Sequence, residues 1–261
     1  MIYYTVKGSG IPLVLIHGFP NDSRAWDNIV PELEQHFQLI LVDLPGAGQS
    51  KHLFKEALNM DDMGNAVIEV LDYLNIPKAH FAGHSMGGYT CINIAQNHKS
   101  RVASLQFVHS GATADDIDKK KMREKSIKLM QRGDKEQKIF LKALFSNFFD
   151  ITFIAKNPNI VEYYVNRGME LPGLHLAAFY QAIMNRLDTQ HILQTANYPI
   201  CWYAGDHDSA VKYETILKEV TIAPISKLIT FYNCGHCAIE EAPEILTDKI
   251  IEFLNEYPIF E

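Results

Sequence analysis

The residues Gly83-His84-Ser85-Met86-Gly87 set a serine between two glycines in the pattern G-x-S-x-G. This is the signature of a nucleophile elbow, a sharp turn from strand to helix that presents the serine hydroxyl. The context agrees. An apolar stretch, His80-Phe81-Ala82, precedes it, and a helical pattern follows. Glycines on either side lack Cβ atoms and let strand and helix approach, and the helix start aims N–H groups at developing negative charge.

A serine is a weak nucleophile until a base removes its proton. His236, in Asn233-Cys234-Gly235-His236-Cys237, is the only histidine after the last apolar strand, and it lies in a glycine-containing loop. An acid that orients this base belongs after the preceding strand, where Gly205-Asp206-His207-Asp208 supplies two carboxylates. Acyl transfer also needs two donors for an oxyanion. The Met86 N–H is one. The loop His17-Gly18-Phe19-Pro20 follows the apolar run Leu13–Ile16 and offers the Phe19 N–H as the other. The side chain of His17 is read as bracing that loop, because only backbone donors are required.

These residues must be held by a scaffold. Short apolar runs at Leu13–Ile16, Leu39–Val42, Leu105–Val108, Ile200–Ala204 and Leu228–Tyr232 read as strands covered on both faces. Ile2–Val6 reads as a further short strand. Helical stripes lie between them at Met63–Leu74, Tyr89–Asn97 and Ile245–Leu254. Strand and helix alternate, which predicts an α/β fold with a mostly parallel sheet. From Ala112 to Ala196 the strands stop. Phe140, Leu144 and Phe148 recur at helical spacing, as do Ile160, Tyr164 and Gly168, which predicts an all-helical insertion.

Taken in order, these segments resemble the α/β-hydrolase fold superfamily, specifically its small, cap-bearing, cofactor-free serine hydrolases. Carboxylesterases, non-haem perhydrolases and carbon–carbon bond hydrolases belong to that group. The resemblance covers the whole length. It rests on His17-Gly18-Phe19-Pro20 with Trp26, Asp43 to Ser50, Gly83 to Gly88, Arg186-Leu187-Asp188, Gly205 to Asp208 and Gly235-His236. It implies the triad Ser85, Asp208 and His236, because in the family the acid stands three residues after the glycine. Asp206 is then a solvated loop residue. The resemblance also implies a three-layer fold of about seven strands, short of the family's usual first edge strand. Its core would comprise 1–111 and 197–261, with a helical cap at 112–196. Serine at 85, rather than aspartate, argues against epoxide hydrolases and haloalkane dehalogenases. Tyr89 stands where an arginine would point to a vitamin K biosynthesis hydrolase.

The expected activity is cleavage of a small, mainly apolar ester through an acyl-enzyme. The alternatives are carbon–carbon cleavage of a diketone by the same triad, or a weakly hydrolytic ligand receptor. No cofactor or metal is expected, and the partner is a small-molecule substrate. The formal charge of −7 argues against nucleic acid. No apolar run reaches the ~18 residues of a membrane span, and no signal peptide is evident, so a cytoplasmic location is expected.

Other features are weighed against plainer readings. Cys234-Gly-His-Cys237 is a C-x-x-C, but Cys91 and Cys201 supply no second pair, so metal or redox roles are disfavoured. A thiol beside His236 would still make activity sensitive to oxidation. The basic run Lys119-Lys120-Lys121, Arg123 and Lys125 reads as a solvated helix face. Its alternative is a site for an anionic group on substrate or carrier. His109-Ser110 could face the pocket, and His84 is read as packing behind the elbow.

Overall fold

A computed structural model describes residues 1–259. In chain order the elements are β1 (Tyr4–Lys7), β2 (Pro12–Ile16), α1 (Val30–Leu33), β3 (Gln38–Val42), α2 (Met60–Tyr73), β4 (Ala79–His84), α3 (Met86–Asn97) and β5 (Val102–Val108). Six helices follow without a strand: α4 (Ile117–Met130), α5 (Asp134–Phe148), α6 (Ile151–Lys156), α7 (Ile160–Gly168), α8 (Gly173–Asn185) and α9 (Gln190–Gln194). The chain then forms β6 (Ile200–Gly205), α10 (Tyr213–Val220), β7 (Ser226–Phe231), α11 (Ala238–Glu241) and α12 (Pro243–Glu256).

The seven strands form one sheet in the order β1-β3-β2-β4-β5-β6-β7. Only β1 runs antiparallel, pairing Tyr4 with Val42 and Lys7 with Leu39. All other pairs are parallel, as expected where helices cover both faces. Side chains of successive strand residues alternate between faces. Val14, Ile16, Ile40, Val42 and Phe81 therefore pack on one side with α2 and α3. Leu13, Leu15, Leu39, Leu41 and Ala82 pack on the other with Trp26, α1 and α12. Among the described residues no helix is long and apolar enough to cross a membrane.

Two helices begin earlier than their apolar stripes. Helix α2 starts at Met60, where Asn59 and Asp62 form a reciprocal capping box. Helix α3 starts at Met86, because the turn at Ser85 drives the chain directly into it. Helix α10, absent from the sequence reading, is short and buries only Ile216 and Glu219.

Candidate active site

Parallel order sends the C-terminal ends of β4, β5 and β6 to one rim of the sheet, and the candidate residues leave from there. Ser85 follows β4 directly, with φ 49° and ψ −112°. That left-handed backbone is costly for a serine and is characteristic of functional sites. It is held by the Ser85 N–H donating to Val108 C=O at 2.9 Å and by the Ser110 hydroxyl donating to Ser85 C=O at 2.7 Å. Glycine is required on both sides. A Cβ at Gly83 would lie 2.3 Å from the Gly87 carbonyl, and one at Gly87 would lie 2.1 Å from the Ile16 oxygen.

His236 Nε2 lies 2.9 Å from Ser85 Oγ, and His236 Nδ1 lies 2.8 Å from Asp208 Oδ2. Nδ1 faces a carboxylate and so carries the ring proton. Nε2 is left with a lone pair for the serine hydroxyl. The His236 ring is wholly buried and rests on Phe148 at 4.6 Å between centroids. Asp208 Oδ1 accepts the N–H groups of Ala210 and Val211, both at 2.8 Å. Burial pushes the Asp208 carboxyl up, but the neighbouring His236 and His109 outweigh it and hold the group well below the usual carboxylate range. The Asp206 carboxylate lies outside this chain of contacts and accepts a long one from Cys234 N–H at 3.4 Å.

His109 does not face the pocket. It is buried beneath the site, donates from Nδ1 to Asp208 Oδ2 at 3.0 Å and accepts the Ala238 N–H at Nε2, also 3.0 Å. Sequence reasoning missed this link, whose only signal was a histidine at the end of a strand beside the elbow. His84 donates from Nε2 to His236 C=O at 2.9 Å. Burial, then His236 and His109, push its pKa down to about 3, so its ring is neutral. His17 accepts the Leu44 N–H at Nε2, 3.0 Å, and braces the loop that carries Phe19. Among the described residues neither the Phe19 N–H nor the Met86 N–H donates to a protein acceptor.

His109, Asp208 and His236 also bring metal-ligating atoms within 4.8 Å of one another. A metal there would need the lone pairs of both Nδ1 atoms, which in this arrangement face Asp208 as N–H donors. The four cysteines are free and buried. Burial, with Glu241 and Asp208 adding to it, pushes the thiols of Cys234 and Cys237 far up. Both stay protonated, which counts against the oxidation sensitivity suggested by the sequence.

Ser85 opens into a cavity of about 420 Å³. Phe19, Phe140, Leu144, Phe148 and Ile183 give it an apolar side, and Lys119, Met122, Arg123 and Ser126 of α4 form another. Phe19 packs against Tyr180 at 4.5 Å between ring centroids. Phe140 and Phe148 line this space, whereas Phe145 and Phe149 are core.

A family model described as alpha/beta hydrolase fold matches residues 11–243. The chain is similar to the dihydrolipoyllysine-residue acetyltransferase component of an acetoin cleaving system from Pseudomonas putida, at 27% identity over 251 residues. That match covers 95% of this chain but 64% of the relative, so the chain spans just under two thirds of its length. It is also similar to a soluble epoxide hydrolase from Corynebacterium sp. (strain C12), 26% identical over 291 residues, covering 97% of this chain and 93% of that one. Among solved structures, a thermophilic esterase from Thermogutta terrifontis superposes with a TM-score of 0.92 at 24% identity, covering 98% of this chain and 93% of that chain. At that identity the likeness speaks for the fold.

Proposed function

Because the chain belongs to the α/β-hydrolase fold family, we propose that it is a serine hydrolase cleaving a carboxylic ester through an acyl-enzyme. One observation carries this reading. Ser85 Oγ, His236 and Asp208 are linked by contacts of 2.9 and 2.8 Å, with the serine facing a largely apolar cavity.

In this reading His236 Nε2 takes the Ser85 hydroxyl proton as Oγ bonds to the ester carbonyl carbon. The carbonyl oxygen becomes an oxyanion and takes the Phe19 and Met86 N–H groups. Each such donor contributes on the order of 10²–10³ in rate. The C–O bond to the alcohol then breaks, and His236 gives its proton to the departing oxygen. Water enters, loses its proton to the same nitrogen and releases the acid and free Ser85. Asp208 keeps the imidazole in the Nδ1–H tautomer and stabilises the imidazolium.

The helices between β5 and β6 serve in this reading as the cap that encloses the substrate, with 112–196 as its span. Serine at 85, where epoxide hydrolases use aspartate, supports acyl transfer over epoxide opening.

The test is Ser85→Ala against chromogenic short-chain esters, with fluorophosphonate labelling of the native serine. Loss of both turnover and label, with an unchanged circular dichroism spectrum, supports the reading. Turnover surviving in the variant overturns it. Parallel assays with a vinylogous 1,5-diketone separate carbon–carbon cleavage from ester cleavage.

A further inference from the structure

Residues 119, 122, 123 and 126 fall at i, i+3, i+4 and i+7 on α4, so they share one helix face. That face lines the cavity onto which Ser85 opens. It brings two cations, Lys119 and Arg123, to a space otherwise walled by aromatic and aliphatic side chains. No carboxylate is among the residues lining it.

The charges behind this wall do not balance. Asp115 is fully buried and is shared by three cations. Arg123 Nε donates to Oδ2 at 2.5 Å, Arg186 Nη2 donates to Oδ1 at 3.1 Å, and Lys119 Nζ stands 3.6 Å from Oδ1. Burial pushes the Asp115 carboxyl up, but the two arginines outweigh it and hold it at about 2, so it carries one full negative charge. Three cations therefore share one carboxylate. The neighbouring acids direct their oxygens at other donors and not at these cations. Glu219 takes the N–H groups of Ala112 and Thr113, the Thr113 hydroxyl and Trp202 Nε1, and Asp116 caps α4 through the Lys119 N–H. Arg186 is screened from the cavity by Tyr89, over which it lies at 3.9 Å.

Lys119 and Arg123 are thus the cations that can reach a ligand. Lys119 donates to Ala210 C=O at 2.7 Å, and its side chain is about a third exposed. Arg123 offers the bidentate edge suited to a carboxylate, because Asp115 uses only Nε and the ring of Tyr180 lies 4.8 Å from its central carbon. In a partly desolvated cavity such a surplus is compensated by an anion.

We propose that this cavity takes an ester whose acyl chain ends in a carboxylate, which Lys119 and Arg123 hold while the apolar side packs the intervening methylenes. This rests on the serine-hydrolase reading for the bond cleaved, and it refines the small, mainly apolar ester expected from sequence.

The test compares p-nitrophenyl half-esters of adipate and suberate with their terminal amides, which have the same shape and no charge. The expected kcat/KM ratio is about tenfold to a hundredfold in favour of the carboxylate, the scale of charge-assisted hydrogen bonds. The ratio should shrink several-fold in both Lys119→Gln and Arg123→Gln, and in high salt. Because both esters are assayed on one preparation, the ratio is independent of how much variant folds. Calorimetric titration of Ser85→Ala protein with the same pairs gives a readout that needs no turnover. Equal turnover and equal binding within each pair would overturn the proposal and leave the hydrolase reading intact. A ratio retained in both variants would overturn the assignment to Lys119 and Arg123. Anion-selective binding without turnover of any ester by the native protein would support the subsite and reject the acyl-enzyme.

Discussion

His109 Nδ1 donates to Asp208 Oδ2 at 3.0 Å, the same oxygen that takes the Nδ1 proton of His236 at 2.8 Å. The Ala238 N–H at His109 Nε2 fixes the tautomer, so His109 is a neutral donor with both ring nitrogens used. Two N–H groups on one oxygen fix its position and draw off part of its negative charge. Asp208 Oδ2 is thereby held where it orients the His236 ring.

Removing the His109 donor should therefore loosen Asp208 Oδ2 and, through it, the orientation of His236. His109→Leu is expected to lower kcat on the order of tenfold with KM little changed, because orientation at the reacting centre is lost. His109→Asn should recover most of that loss. Asparagine carries an N–H near the Nδ1 position and tolerates the φ of 49° found there. A purely packing role for His109 would lower thermal stability in both variants and leave kcat of the folded protein unchanged.

Glu219 gathers donors where the chain leaves β5 for the helices. It accepts the Ala112 N–H at 2.9 Å, the Thr113 N–H at 2.8 Å, the Thr113 hydroxyl at 2.6 Å and Trp202 Nε1 at 3.2 Å. Glu219→Ala leaves these buried donors without a partner. A loss of about 1–3 kcal/mol is expected in denaturant unfolding, the scale for leaving a buried polar group unsatisfied. A loss under about 1 kcal/mol would mean that water replaces the carboxylate fully.

Much of this architecture is readable from local sequence, and the rest depends on distant pairings. Ser85 and His236 could be singled out because each follows an apolar strand in a loop marked by glycine; the same pattern left Asp206 and Asp208 both open, and the family resemblance chose Asp208. Parallel strand order then brings those loops to one rim. The contact of His109 with Asp208 spans 99 positions. It depends on the register that pairs Val108 with Tyr203, which no local pattern encodes. The basic run of α4 looked like a solvated face because its buried counter-charge, Asp115, and its second arginine, Arg186, come from outside that helix. Gly87 and Gly88 hid the start of α3, since glycine is a poor helix former; the close backbone of Ile16 explains Gly87, and the Ser110 side chain packed against the helix explains Gly88.

Buried neutral histidines set the response to acid. His80 is wholly buried, and burial, with Lys78 adding to it, pushes its pKa down to about 4. His84 is pushed down to about 3 by burial and its neighbouring histidines. Both titrate near about 6.5 in the unfolded chain. The unfolded state therefore binds more protons, and stability falls as pH drops below about 6.5 and on toward these folded-state values. Asp22 and Asp115, each lowered to about 2, extend the loss below about pH 4. His80→Gln should reduce the slope of unfolding free energy between pH 4.5 and 6 by about 1 kcal/mol per pH unit. An unchanged slope would mean that His80 is already charged in the folded protein.

Cys234 and Cys237 flank His236 in sequence, yet their reactivity is set by burial. Exposure is 3% for Cys234 and 8% for Cys237, and both thiols are held far above the pH at which a thiolate forms. The thiolate is the species that reacts with disulfides and peroxide. Cys91 and Cys201 are wholly buried, with pKa values also raised by burial. A chromogenic disulfide reagent should therefore titrate essentially no thiol in the native protein and all four after denaturation. Esterase activity should persist through peroxide treatment at neutral pH. Rapid loss of activity with one thiol modified would show instead that the His236 loop opens often enough to expose Cys237.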